Sequence, residues 1–209
     1  MRYFWSDPFL WVHLAGLAAL PIFLELCLLG FSVGSPLLPV WLELLLVAAF
    51  GIAPVLWMQL SRPFYIFSIL AVAMKPELLT PDRRRTLSLF KTPAHRAVSV
   101  VAAALLALAL WPLYRWAPVA AAVAPFPPQW HLAGLLLAAL AFLGGNLFLQ
   151  VPVSVALVMA RSEAKFAATE PYAQEKIRQD YTIIGLQVKQ ILPALAVSAQ
   201  QGDKPASGT

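Results

Sequence analysis

Four long apolar runs separated by short polar stretches set the pattern of the chain. They occupy 8–30, 37–59, 97–114 and 130–160. Each falls near or above the ~20 residues with which an α-helix crosses a bilayer. The pattern predicts an all-α fold, a polytopic bundle of four transmembrane helices over 1–160. Asp7-Pro8 reads as a cap followed by a first-turn proline, and the Gly/Ser/Pro-rich 30–36 reads as a turn. Gly51 and Pro54 are expected bend points in the second span. The fourth run exceeds the hydrocarbon thickness, so it must tilt or project; Gly144, Gly145 and Pro152 interrupt it.

The remaining segments are too short or too polar to span. FYIFSILAVAM at 64–74 is read as an interfacial or re-entrant helix within a cytoplasmic loop over 60–96. Thr80-Pro81-Asp82 marks a helix start, and Leu87, Leu89 and Phe90 would give that basic helix a membrane-facing side. An uncharged Pro/Ala-rich loop fills 117–129. In the segment 161–200, Ile177, Tyr181, Ile184, Val188, Ile191 and Leu195 recur at steps of three and four. That spacing predicts an amphipathic helix lying on the membrane or on a partner. The small polar residues of 201–209 read as a disordered tail.

Composition strengthens the membrane reading. Hydrophobic residues make up 60% and charged residues 12%, whereas soluble domains carry roughly 25% charged residues. Of the 15 Lys and Arg, one precedes the first span, seven lie in 60–96 and six follow the fourth span. The positive-inside rule therefore places both termini and the central loop in the cytoplasm. A crossing at 64–74 would put the basic tail outside, so four spans are preferred to five. The single cysteine, Cys27, excludes an intramolecular disulfide. No phosphate loop, HExxH or flagged nucleophile–base set is present, which argues against an enzyme. Arg83, Arg84, Arg85, Lys91 and Arg96 form a basic patch. It reads as a topology signal in contact with anionic lipid, or else as a docking surface for an acidic partner; nucleic acid is not expected.

Two matching phrases carry the candidate chemistry. PIFLELCLL at 21–29 and PVWLELLLV at 39–47 each place a carboxylate, Glu25 or Glu43, four residues after a proline in an apolar run. Ionisable groups in a span are costly and demand an explanation. Antiparallel helices put both roughly 7–9 Å inside one boundary. Arg115 closes the third span and His131 opens the fourth on that same side. The four residues are expected to form a polar cluster, either as a structural latch or as a proton, ion or pigment site. His13, His131, Asn146 and Gln150 are candidate pigment ligands, with chlorophyll or a carotenoid as the cofactor class; no metal site is expected.

The phrases FWSDPFLWVHLAGLAALPIFLELCLLG (4–30), LPVWLELLLVA (38–48), LWMQLSRPFYIFS (56–68) and AMKPELLTPDRRR (73–85) resemble those of a cyanobacterial family described as low-complexity tail membrane proteins. The likeness covers about 1–188, although the tail here is short. The resemblance implies a photosynthetic prokaryote, a thylakoid location and a task in building, stabilising or regulating a photosynthetic complex. It supplies no catalytic residues. The expected function is thus a non-enzymatic accessory or assembly protein that contacts lipids and photosystem or other thylakoid subunits. The alternatives are an oligomeric carrier or channel using Glu25 and Glu43, and a pigment-binding protein.

Overall fold

Asp7 and Pro8 open the first helix as the sequence predicts. The Asp7 side chain accepts from the Phe9 N–H at 3.1 Å, and Pro8 takes a first-turn position where no N–H is required. The computed structural model describes residues 3–69 and 71–191. In it, α1 spans Pro8–Phe31 with a 3-10 turn at Gly16–Ala19, and α2 spans Val40–Ser61. A short basic helix, α3, follows at Pro81–Phe90. Then come α4 at Pro93–Trp116, extended by the 3-10 segment Ala117–Val123, and α5 at His131–Met159. Four helices, α1, α2, α4 and α5, are long and apolar enough to cross a membrane.

The third span begins earlier than its apolar run. Thr92 caps α4 by accepting from the His95 N–H at 3.4 Å, and Pro93 again occupies the first turn. His95, which reads as part of the polar loop, is therefore drawn into the bundle and buried.

α5 is the organising helix, packing against α1, α2 and α4. Although joined by the short turn 32–39, α1 and α2 do not pack along one another; α4 and α5 fill the space between them. Cys27, Phe31, Val47, Leu106, Leu110, Ala138 and Phe142 make the core of that half of the bundle. Two helices approach closely at Gly30 and Gly134. A Cβ on Gly30 would lie 2.6 Å from the Gly134 O and the Ala138 N, so neither backbone leaves room for a side chain.

At the other end, which carries the basic loop, the fold departs from the predicted helices. Residues 64–74 do not form an interfacial helix. Ser68–Ile69 (β1) and Val72–Met74 (β2) make an antiparallel hairpin. Leu186–Val188 (β3) then adds in parallel to β2. Aromatic and β-branched residues suit a pleated surface, and FYIFSI supplies both. The amphipathic C-terminal helix is likewise not continuous. It is replaced by α6, Glu163–Ala167, and α7, Gln174–Asp180, before the chain turns extended into β3. The helix stops at Asp180, where Tyr181 turns extended (φ -126°, ψ 149°). Further on, Gly185 has a φ of 98°, and a Cβ there would meet the Ala71 O at 2.0 Å, so the close approach of β3 to the hairpin requires glycine. Ile177 and Tyr181 are buried as the spacing predicts, but Ile184 is 47% exposed. Leu195 and the tail 201–209 lie outside the described residues.

These pieces form a cap with its own core, in which Phe9, Tyr65, Phe67, Leu87, Phe90, Val158, Ile177 and Tyr181 meet. Leu87, Leu89 and Phe90 therefore face protein and not the membrane. The 29 residues of α5 reach ~44 Å at 1.5 Å per residue, so its last turns project into this cap.

The cap is pinned by polar contacts from its C-terminal strand of chain. The Tyr181 O–H donates to the Leu87 O at 2.6 Å, and the Thr182 hydroxyl donates to the Arg62 O at 2.6 Å. Asp180 accepts from the Tyr172 O–H and pairs with Lys91 at 3.1 Å. The Tyr172 hydrogen bond, followed by the Lys91 charge, holds the Asp180 carboxyl below its ordinary range. A depressed carboxylate stabilises the fold above its unfolded value and loses that contribution as pH falls through the folded one. Acidification below about pH 4 is thus expected to loosen the cap selectively, read as faster amide exchange at Tyr181. Asp180→Asn should reduce that acid step, leaving the part carried by the Glu77–Arg178 pair.

Candidate functional site

Proline governs how Glu43 comes to its place. Pro39 precedes α2 in an extended conformation and cannot continue a helix backwards. Leu37 and Leu38 consequently cross the end of the helix with their N–H groups turned toward its first turn. Glu43 Oε1 accepts both, at 2.9 Å from Leu37 and 3.1 Å from Leu38. His131, the first residue of α5, closes the arrangement. Its Nε2 lies 3.0 Å from Glu43 Oε1 and 3.1 Å from Oε2, and its Nδ1 lies 2.6 Å from the Val33 O.

The bonding partners fix the chemistry of this group. The Val33 carbonyl can only accept, so Nδ1 carries the proton on that side. Glu43 Oε1 receives two backbone N–H groups, which suits a carboxylate that also accepts from Nε2. The pair is neutral as a unit and nearly sealed: the Glu43 side chain is 0% exposed and that of His131 is 4%. The Leu37 and Leu38 bonds hold the 32–39 turn to α2, and the His131 bonds tie both the turn and α2 to α5. The geometry is that of a latch which ties the connection between α1 and α2 onto the helix both must pack against.

The other members of the expected cluster stand apart. Glu25 and Arg115 are both exposed, on the outer faces of α1 and α4. Neither side chain forms a hydrogen bond or ion pair with another described residue. Because α1 and α2 do not pack, the two glutamates are not neighbours across the hairpin.

The candidate pigment ligands are engaged within the protein. Both His131 nitrogens are used in the latch. The His13 Nδ1 donates to the Phe9 O at 2.7 Å, while its ring tilts against Phe64 at 5.7 Å. Asn146 Nδ2 donates to the Gly51 O at 3.0 Å, across to α2 beside Pro54. Gln150 Nε2 donates to the Asn146 Oδ1 at 3.0 Å, and Ser154 donates to the Gln150 O at 2.6 Å. This buried ladder joins α5 to α2 at mid-span, where lipid offers no hydrogen bonds. Asn146→Leu should lower bundle stability by about 1 kcal/mol, measured by thermal unfolding in detergent.

His95 has the sequence setting of a polar-loop residue, yet it is 1% exposed. Neither ring nitrogen, nor the Ser99 hydroxyl one turn later, has a hydrogen-bond partner among the described residues. The signal that could have found it is Thr92-Pro93, a helix start of the same type as Thr80-Pro81.

The basic patch is largely neutralised by its own chain. Arg83 pairs with Asp7 at 2.8 Å and lies over the Phe9 and Phe67 rings. Arg84 donates to the Tyr172 O at 3.3 Å, Arg85 pairs with Asp82 at 2.6 Å, and Lys91 holds Asp180. Arg96 alone of the five is exposed with no side-chain bond to another described residue. Among the described residues no group of three or more His, Cys, Asp or Glu could hold a metal ion.

Comparison with known proteins adds one finding. The family described as low-complexity tail membrane protein-like matches residues 6–193. No curated protein and no solved structure matches the chain.

Proposed function

The chain belongs to the low-complexity tail membrane protein-like family, and on that premise we propose that it is a non-enzymatic accessory or assembly protein which docks to a larger membrane complex. The cyanobacterial setting implied by the resemblance makes a thylakoid photosynthetic complex the preferred partner. The positive-inside rule turns the capped, basic end toward the cytoplasm. The observation that carries the reading is how the polar groups are used. Glu43, His131, Asn146, Gln150 and four of the five patch residues are consumed in bonds that hold the protein together. Of the candidate residues read from the sequence, those left over, Glu25, Arg115 and Arg96, lie on its outer surface. That distribution suits a protein whose business is with its neighbours.

A transmembrane path is less well supported. Glu43 is locked in the latch and Glu25 faces outward, so the two acids do not line a shared route. Axial ligation of a pigment by His131 would require breaking one of its two bonds.

Isolation from its native membrane in mild detergent, followed by mass spectrometry, tests the proposal. Photosystem or other photosynthetic subunits should co-purify in stoichiometric amount. Recovery at background level, from membranes in which the complexes stay intact, would rule the reading out.

A further inference from the structure

Glu25 presents a carboxyl group on the membrane-facing side of a helix, and among the described residues that carboxyl has no partner. It ends a row of exposed positions, Trp11, Ala15, Ala18, Ile22 and Glu25, spaced by four, three, four and three residues along α1. That is the spacing of a helix-packing seam, and its small central residues would let another backbone come close. Snorkelling offers no escape. Helical side chains lean toward the N-terminus, which on α1 means deeper into the span, and glutamate is short.

We propose that this row is the docking seam for one transmembrane helix of a different protein, and that this helix sets a Lys or Arg at the depth of Glu25. The inference rests on the accessory reading and names the surface through which it would operate. Charge complementarity selects the occupant. A second copy packed α1 to α1 would bring Glu25 against Glu25 with no cation between them. Arg115 of a second copy does not serve either. The Phe31 and Tyr114 rings meet at 5.6 Å, which sets the Arg115 backbone near the level of Phe31, about 9 Å from that of Glu25 along the axis at 1.5 Å per residue, a gap that the arginine side chain spans only in part. Rotation about the membrane normal leaves such depths unchanged. The cation must therefore come from another chain.

The test uses the full-length protein in phosphatidylcholine vesicles, labelled at its amino terminus. The probe is a dye-labelled synthetic Leu/Ala helix carrying one Lys at the matching depth. Energy transfer should show the Lys helix binding about fivefold to thirtyfold more tightly than the same helix with Leu. Glu25→Leu should erase that preference, and Ala18→Phe should block both helices. Glu25→Lys should transfer the preference to a helix carrying Glu. Equal binding of the Lys and Leu helices, or a Lys preference that survives Glu25→Leu, overturns the proposal. Disulfide-linked dimers through Ile22→Cys, in a Cys27→Ser background, would show a second copy in the seam and overturn it equally. Should the seam fail while photosynthetic subunits still co-purify, the accessory reading stands with a different surface.

Discussion

Replacing Glu43 by leucine should destabilise the protein by about 3–5 kcal/mol, the cost of removing one partner from a buried charged pair. Three donors lose their acceptor at once: the Leu37 and Leu38 N–H groups and the His131 Nε2. The imidazole is 4% exposed, so water cannot replace the lost bonds without opening the helix ends. Glu43→Gln should be milder, because the side-chain carbonyl can keep the two backbone donors while the charge interaction disappears. Thermal or denaturant unfolding in detergent micelles measures both. The cap provides an internal reference, since its core is separate. Tyr181 amide protection should outlast loss of the latch.

Substitution at the Gly30–Gly134 crossing is expected to act nearly as strongly. A Cβ on Gly134 would stand 2.5 Å from the Gly30 O and 2.6 Å from the Val33 Cβ, and one on Gly30 would meet backbone at 2.6 Å. Backbone atoms cannot rotate away, so Gly30→Ala or Gly134→Ala must push α1 off α5. Overpacking of this kind costs about 1–3 kcal/mol. The displacement also reaches the latch, because Val33 is three residues from Gly30 and its carbonyl meets His131 at 2.6 Å. The two alanine variants act on one contact, so their effects should fall short of additive. Fully additive losses in unfolding experiments would show that the helices are not in contact there.

How legible these features were depended on whether they were local. The four spans are written as apolar runs, and the depth argument brought Glu43 and His131 together because loop lengths fix depth. Rotation about a helix axis is a different matter. α1 is apolar on every side, so nothing in its pattern tells the outward Glu25 from an inward one, whereas Pro39 and the short turn 32–39 do constrain Glu43. The cap was illegible for another reason. β2 pairs with β3 more than a hundred residues away, and a strand whose partner is so distant leaves only a short aromatic run as its trace. The three- and four-residue steps after 172 hold for Ile177 and Tyr181, but the chain turns extended at Tyr181 and leaves the helix that they suggest. Arg83 through Arg85 read as a topology signal on anionic lipid or a docking surface because Asp7 and Tyr172, which hold two of them, lie far off in the sequence.

A double-mutant cycle on Glu43 and His131 tests the latch most directly. Stability would be measured for Glu43→Leu, His131→Leu and the double variant in the same detergent. A coupling energy of about 2 kcal/mol is predicted, within the range found for residues in one buried network, with the double variant regaining part of what Glu43→Leu loses. Additivity to within about 0.5 kcal/mol, the behaviour of independent sites, would contradict the latch.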